Sequence, residues 1–218
     1  MTLPVGQAVA PAEVRAVILA AGLGSRLGGV PKAALRHAAD GQTLLARHAQ
    51  ALRSAGVAEV SAVIGPYRER LLPLAQAGGI TPLLHTLDGP SLIDSQRLAL
   101  AAHAAAAAPH ASLLLLVSDL PHLSAEHLAP LLAAWAQRPA GVHALMPVVH
   151  GQRGHPVLLS PTAVVGVLAQ PPDAGPAGVR AWLAAHPQAV QALPLSDPAY
   201  VQDVDTLQDV ALHRLALP

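Results

Sequence analysis

The segment Val17–Lys32, VILAAGLGSRLGGVPK, follows the apolar, β-prone start Val14–Leu19 and carries glycines at 22, 24, 28 and 29 beside Arg26 and Lys32. Glycine lets a backbone bend tightly and bring its N–H groups against a ligand with no Cβ in the way. A guanidinium and an ammonium in the same loop suit a polyphosphate, the first as a planar fork and the second as a point charge. The alternative is an ordinary strand-to-helix turn with two surface cations. The four glycines and both cations together weigh against it. Two other phosphate loops fail on spacing. A P-loop ends in Gly-Lys-Ser/Thr, whereas Pro31-Lys32-Ala33 stands here. A dinucleotide fingerprint needs a third glycine at position 27, where Leu27 stands, and the expected second strand Glu59–Ile64 runs into Gly65-Pro66 rather than an acid.

Carboxylates form the second group of candidates. Asp119 directly follows the apolar run SLLLLV at 112–117 and precedes Leu120-Pro121. Ligands of α/β sheets gather at the carboxyl ends of strands, so an acid there stands where chemistry is expected. It can also be read as a helix cap, although Ser124 is placed to cap the next helix. The late segment VQDVDTLQDV holds Asp203, Asp205 and Asp209, and alternation along an extended chain sets Asp203 and Asp205 on one face. Read alone, the segment is equally a capping arrangement.

These groups must be positioned by a scaffold, and the pattern along the chain is βαβ. Residues 1–12 read as a flexible tail and 13–218 as one domain. Helices are expected over 44–54, 67–77, 91–108, 124–137, 178–186 and 206–215, with a short one opening at Pro161. Strands are expected over 14–19, 60–64, 80–84, 112–117, 142–149 and 156–159, and 193–195 and 200–203 read as extended. The run SLLLLV is uninterrupted, as in a central strand covered on both faces. The fold class is α/β, a three-layer, doubly wound, mostly parallel sheet with one antiparallel strand near the end.

Bulk composition narrows the function. The 218 residues suffice for one sizeable core. The chain is 52% hydrophobic yet only 2% aromatic with no Phe, so its core is expected to be built from Leu, Val and Ala in closely approaching elements. Thirteen basic and thirteen acidic side chains cancel, giving no field for nucleic acid or an anionic membrane. Absence of cysteine removes disulfides, thiolate catalysis and Cys-based metal sites. No signal peptide or membrane span is apparent, and a cytoplasmic location is the expectation. The twelve histidines fall at neither HxxxH nor HExxH spacing and read mostly as surface residues.

The glycine loop resembles the start of the nucleotidyltransferases with a MobA-like NTP transferase domain, LAAGxGxRxG followed by PK, and is most similar to the molybdopterin cytidylyl- and guanylyltransferase branch. Other segments agree in order. SDLP at 118–121 is similar to the strand-end DxP, and HGQRGHP at 150–156 to the GxRGHP turn beside the acceptor. GPAGVRAWL at 175–183 is similar to GDxGAR, and DVDT at 203–206 to DIDTPED. Gly89–Leu98 resembles a glycine–serine turn near the nucleotide. Departures are Pro176, where the family has an acid (Asp173 lies three residues earlier), and Leu207 and Gln208 in place of Pro and Glu.

The resemblance implies a Rossmann-like nucleotidyltransferase fold and transfer of a nucleoside monophosphate from a nucleoside triphosphate to a phosphorylated acceptor, releasing pyrophosphate. Arg26, Lys32 and Asp119 are then the catalytic group. Leu19, Ala20, Ala21, Gly22, Gly24, Ser25, Arg26, Lys32, Gly65 and Ser95 bind nucleotide. Asp119, Asp203 and Asp205 hold Mg²⁺ or Mn²⁺, and Arg153, Gly154, His155 and Arg180 meet the acceptor. LAAG rather than LAGG favours CTP, Ala21 leaving less room beside the base than a glycine would. Molybdopterin is the acceptor implied, with a molybdoenzyme as the eventual partner. Sugar- or polyol-phosphate transfer, or a non-catalytic nucleotide-binding accessory role, are the alternatives.

Overall fold

The computed structural model describes residues 13–106, 110–171 and 177–218. The expected N-terminal tail, residues 107–108 of the expected 91–108 helix, and Asp173 and Pro176 lie outside the described residues; that helix ends at Ala105, where Ala106 turns extended. Ten strands and seven helices follow one another as β1 Val14–Ala20, β2 Arg36–His37, α1 Leu44–Ser54, β3 Val60–Ile64, α2 Arg68–Ala77, β4 Thr81–Leu84, α3 Leu92–Ala105, β5 Ser112–Val117, α4 Ala125–Ala136, β6 Ala144–Val149, β7 Gln152–Arg153, β8 Val157–Leu159, α5 Pro161–Leu168, α6 Val179–Ala185, β9 Val190–Leu195, α7 Leu207–Leu212 and β10 Leu215–Ala216 among the described residues.

The main sheet has the order β4-β3-β1-β5-β8-β6-β7, with β9 also pairing β6. Strands β4, β3, β1 and β5 are parallel, β8 runs antiparallel between β5 and β6, and β9 is parallel to β6. The two-residue β7 returns on β6 as a hairpin. Chain order reverses between the neighbours β1 and β5, whose ends lie side by side through Leu19 and Val117. The loops after β1 and β5 therefore leave the sheet together, at the edge where α/β sheets gather ligands.

Alternation along the strands builds two cores. Ala16, Ile18 and Ala20 of β1 with Leu114 and Leu116 of β5 face one side, where α1, α2 and α4 contribute Leu45, Leu52, Leu71, Leu128 and Trp135. Val17, Leu19, Leu113 and Leu115 face the other, against Leu100 of α3, Val164 of α5 and Trp182 and Leu183 of α6. Aromatic side chains carry more of the packing than composition suggests. Each core holds one of the two tryptophans, and a Cβ on Gly166 would run into the Trp182 indole, so α5 and α6 approach at a glycine. Helix starts follow the expected chemistry: Thr43 Oγ1 accepts from Ala46 N at 3.2 Å, and Ser91 forms a capping box with Asp94.

Two stretches differ from the sequence reading. The 200–203 segment is not a strand; Pro198–Tyr200 is a single 3₁₀ turn, capped by Asp197, and irregular chain follows. The last helix stops at Leu212, because Arg214 takes a left-handed φ of 52° and Leu215–Ala216 pairs antiparallel with Arg36–His37. That pairing closes a small third core of Leu27, Leu35, Leu44, Val204, Val210 and Leu215 beneath the glycine loop. No helix among the described residues is long and apolar enough to cross a membrane.

The histidines are also not mainly at the surface. His48, His85 and His213 are buried, and His103 and His186 donate to backbone carbonyls, where an imidazole supplies a polar end on a compact ring. His48 Nε2 bonds the Leu120 carbonyl at 2.8 Å, tying α1 to the segment after β5. Burial holds its pKa below the ordinary imidazole value, only partly offset by that hydrogen bond and by Asp119. The unfolded chain therefore takes up a proton near pH 6.5 that the folded protein refuses, so stability is full above about pH 6.5 and falls as pH drops below it. For this one site the slope approaches ~1.4 kcal/mol per pH unit. Urea denaturation at pH 7.5 and 5.5 is expected to show the loss, and His48→Gln to reduce the pH dependence by about one proton; an unchanged slope in the variant would contradict this assignment.

Candidate active site

The loop after β1 owes its shape to left-handed glycines. Gly24, Gly28 and Gly29 have φ of 55°, 70° and 80° and bracket a single 3₁₀ turn at Ser25–Leu27. Leu27 N and Gly29 N both donate to the Gly24 carbonyl, at 2.8 and 3.0 Å. A Cβ at Gly24 would overlap the Val30 carbonyl oxygen, so this position is closed to any other residue on steric and conformational grounds. Pro31 and a second 3₁₀ turn, Lys32–Ala34, then point Lys32 back across the ends of β1 and β5.

Lys32 Nζ lies 2.8 Å from Asp119 Oδ2 and 2.6 Å from Asp205 Oδ1, joining residues from three distant segments. The other oxygen of Asp205, Oδ2, accepts from Arg26 at 2.6 Å. Burial opposes the lysine charge, but the two carboxylates outweigh it and hold the Lys32 pKa above its ordinary value. In return the hydrogen bond from Lys32 keeps Asp205 below the usual carboxylate range, with Arg26 acting in the same sense. Asp203 behaves oppositely. Burial and then the charge of nearby Asp119 push its pKa up, and Lys32 offsets this only in part.

The late segment is held in place by its own capping. Thr206 Oγ1 accepts from Asp209 N, while Asp209 Oδ2 accepts from the Thr206 N–H at 2.8 Å and the Asp205 N–H at 3.0 Å. Val204 is fully buried and its N–H donates to the Asp119 carbonyl at 3.1 Å, which ties this segment to the end of β5. Asp203 and Asp205 thus flank a buried valine, as alternation requires, although the chain here is irregular rather than a strand.

A cavity of about 150 Å³ opens beside these charges, lined by Leu19, Ala20, Ala21, Gly22, Lys32, Ser95 and Asp119 among others. Sequence reading had singled out all seven of these. It missed Pro90, Ser91, Leu92, Val117 and Ser118, which complete the lining. Ser118 could have been found beside Asp119, and Ser91 in the glycine–serine turn. Gly65 is not part of the lining. It packs on Ala21, where an added Cβ would lie 2.9 Å from the Ala21 Cβ, and so fixes the end of β1.

The residues read as acceptor contacts are dispersed. Gly154 is buried with its N–H on the Pro147 carbonyl, and a Cβ there would meet the Tyr200 carbonyl at 2.5 Å. His155 follows with its backbone N–H on that same carbonyl at 2.9 Å. Burial lowers its imidazole pKa, against the raising influences of the Asp119 charge and of a hydrogen bond to the Leu115 backbone. Arg153 and Arg180 are exposed and lie outside the cavity lining. No three His, Asp or Glu side chains among the described residues converge into a group that would hold a metal by themselves. Of the three carboxylates expected to hold a metal, Asp119 and Asp205 both bond the Lys32 ammonium.

Gly24→Ala is expected to lower stability by about 1–3 kcal/mol through the strained φ and the Val30 overlap. A thermal melt checks this, and an unchanged melting temperature would show that the loop accepts a side chain there.

In sequence and in fold the chain has clear relatives. It matches the MobA-like NTP transferase domain across residues 16–190. No protein of curated function matches it. Among solved structures, Rv0371c from Mycobacterium tuberculosis is 21% identical with a TM-score of 0.72, covering 94% of this chain and 98% of that one. The same protein in complex with manganese is 22% identical at a TM-score of 0.67, with 92% and 97% covered. A nucleotidyl transferase from Methanothermobacter is 19% identical at 0.73, with 93% and 96% covered. The molybdopterin-guanine dinucleotide biosynthesis protein A of Archaeoglobus fulgidus is 16% identical at 0.63, with 92% and 96% covered. With the family match spanning most of the chain and the loop, Lys32 and strand-end Asp119 brought together, the chain belongs to the MobA-like NTP transferase domain family and is a nucleotidyltransferase.

Proposed function

We propose that this nucleotidyltransferase moves a nucleoside monophosphate, CMP in preference to others, from its triphosphate to a phosphorylated small-molecule acceptor, releasing pyrophosphate. The observation that carries this reading is the shared lysine: one ammonium held by two carboxylates at the mouth of a cavity. Arg26 and Lys32 offer an incoming triphosphate the charge they now spend on Asp205, and the glycine loop offers its free backbone N–H groups. No protein nucleophile is required, since positioning and charge neutralisation supply the rate of phosphoryl-group chemistry.

A divalent cation, Mg²⁺ or Mn²⁺, fits the donor set. Magnesium takes one or two protein carboxylates and completes its shell with phosphate and water. Asp119 and Asp203 are the pair for it, because burial and then the charge of Asp119 raise the Asp203 pKa, a repulsion that a bound cation would offset. A bound cation would neutralise the charge that builds on the α-phosphate oxygens. The manganese complex of the Mycobacterium tuberculosis relative supports a divalent ion here. Asp205 then serves to orient the two cationic side chains rather than as a metal ligand.

Ala21, packed against Gly65 and lining the small cavity, supports the smaller pyrimidine base. His155 and the 150–156 turn, with Arg153 and Arg180 further out, are the groups for an anionic acceptor, of which molybdopterin is the one the motifs favour. A molybdoenzyme partner follows from that choice and shares its fate.

Pyrophosphate release with each of CTP, GTP, UTP and ATP, plus molybdopterin and Mg²⁺ or Mn²⁺, tests the reading. CTP is expected to be used best, and release to require the metal. Lys32→Ala and Asp119→Asn are each expected to lower turnover by about 10²-fold or more, as loss of one preorganised charge does, without unfolding the protein. Wild-type turnover in both folded variants would remove the assignment.

A further inference from the structure

We propose that Tyr67, a residue outside the glycine loop, is a positioning residue that aims the loop's backbone N–H groups at the triphosphate; this rests on the triphosphate reading above. The Tyr67 hydroxyl donates to the Leu23 carbonyl at 2.8 Å. Among the described residues it is the sole side chain that hydrogen-bonds the backbone between Gly22 and Val30.

Peptide geometry turns this one bond into an orientation. The Leu23–Gly24 peptide is trans, so the Leu23 carbonyl and the Gly24 N–H project to opposite sides of one rigid plane. Holding the carbonyl on Tyr67 therefore turns the Gly24 N–H away from Tyr67. That N–H donates to no acceptor among the described residues, whereas Leu27, Gly28 and Gly29 all spend theirs inside the loop on the Gly24 and Ser25 carbonyls. An unspent N–H at a left-handed glycine is the kind of donor that a nest of backbone amides presents to an anion.

Tyr67 is itself well fixed for the task. It follows Gly65-Pro66 at the end of β3, and its carbonyl accepts from Leu71 N at 3.0 Å in the first turn of α2. Its ring packs partly buried against the first core. A Cβ placed on Gly29 would lie 3.4 Å from the hydroxyl, so Tyr67 lies beside the closing end of the loop as well as bonding its opening. Without the hydroxyl the loop still has the Arg26–Asp205 pair and the buried Leu27, but its backbone loses the one side-chain hydrogen bond that reaches it, and its internal bonds are held less firmly. The plane of the 23–24 peptide is then free to rotate.

Inorganic tripolyphosphate isolates this effect, because it carries the phosphates without a base and needs no acceptor. Calorimetric titration with Mg²⁺–tripolyphosphate and with Mg²⁺–CTP compares wild type with Tyr67→Phe. Loss of one net hydrogen bond's worth of preorganisation is expected to weaken both ligands about three- to ten-fold, with the melting temperature nearly unchanged. Equal affinities in the two proteins overturn the role of Tyr67 while leaving the proposed function standing. A wild-type protein that binds neither ligand overturns both. Hydrogen exchange supplies a measurement that does not depend on any ligand. In Tyr67→Phe the hydrogen-bonded Leu27, Gly28 and Gly29 amides should exchange faster while those of β1 and β3 stay protected, and equal protection of these three in the two proteins overturns the proposal.

Discussion

The site rests on one ammonium shared between two carboxylates. Lys32 comes from the N-terminal loop, Asp119 from the end of the central strand β5 and Asp205 from the C-terminal segment. Three partly desolvated charges placed this close would be costly if any one were removed, since a charge left alone in low dielectric has no compensation. The arrangement therefore carries two consequences at once. It draws the first loop and the C-terminal segment to the same edge of the sheet, and it leaves a concentration of charge that a polyanion can re-partner. Arg26, held by the same Asp205, extends that charge along the loop.

The scaffold supplies this pairing with little polar help. Two apolar cores on either face of the sheet fix the ends of β1 and β5 side by side, and the third, smaller core beneath the loop is closed by β10 pairing with β2. Small residues do much of the positioning. Gly65 lets β3 approach Ala21, Gly166 makes room for Trp182, and Gly154 lets the 150–156 turn reach the Tyr200 carbonyl. In each case a methyl group would force apart two closely packed elements. High alanine and leucine content is thus compatible with a defined site because the close approaches are set by glycine and the two tryptophans fill what remains.

Much of this was legible in the chain. The apolar, β-prone run of β1 and the unbroken apolar run of β5 marked the central strands, and Ser124 marked the start of the helix that begins at Ala125. The loop glycines, Lys32 and Asp119 stood out because their chemistry is local: a left-handed turn and a strand-end acid are properties of a few consecutive residues. What stayed hidden was long-range. The two-residue strands β2 and β10 have no pattern of their own and exist only because each pairs the other. Buried histidines such as His48 look like any surface imidazole until a carbonyl from another segment is found against them.

By itself, then, the sequence determined the α/β class, the order of the main elements, the anion-friendly loop and the candidate acids, because each depends on local conformational preference or on periodic burial. Only the tertiary structure decided which charge meets which. It gave Lys32 two partners, turned Asp205 towards the cations and left Asp203 beside Asp119, and it set Arg153 and Arg180 apart from the cavity. Pairing of charges depends on distances between segments more than 80 residues apart, and those distances come from the packing of whole layers rather than from any motif.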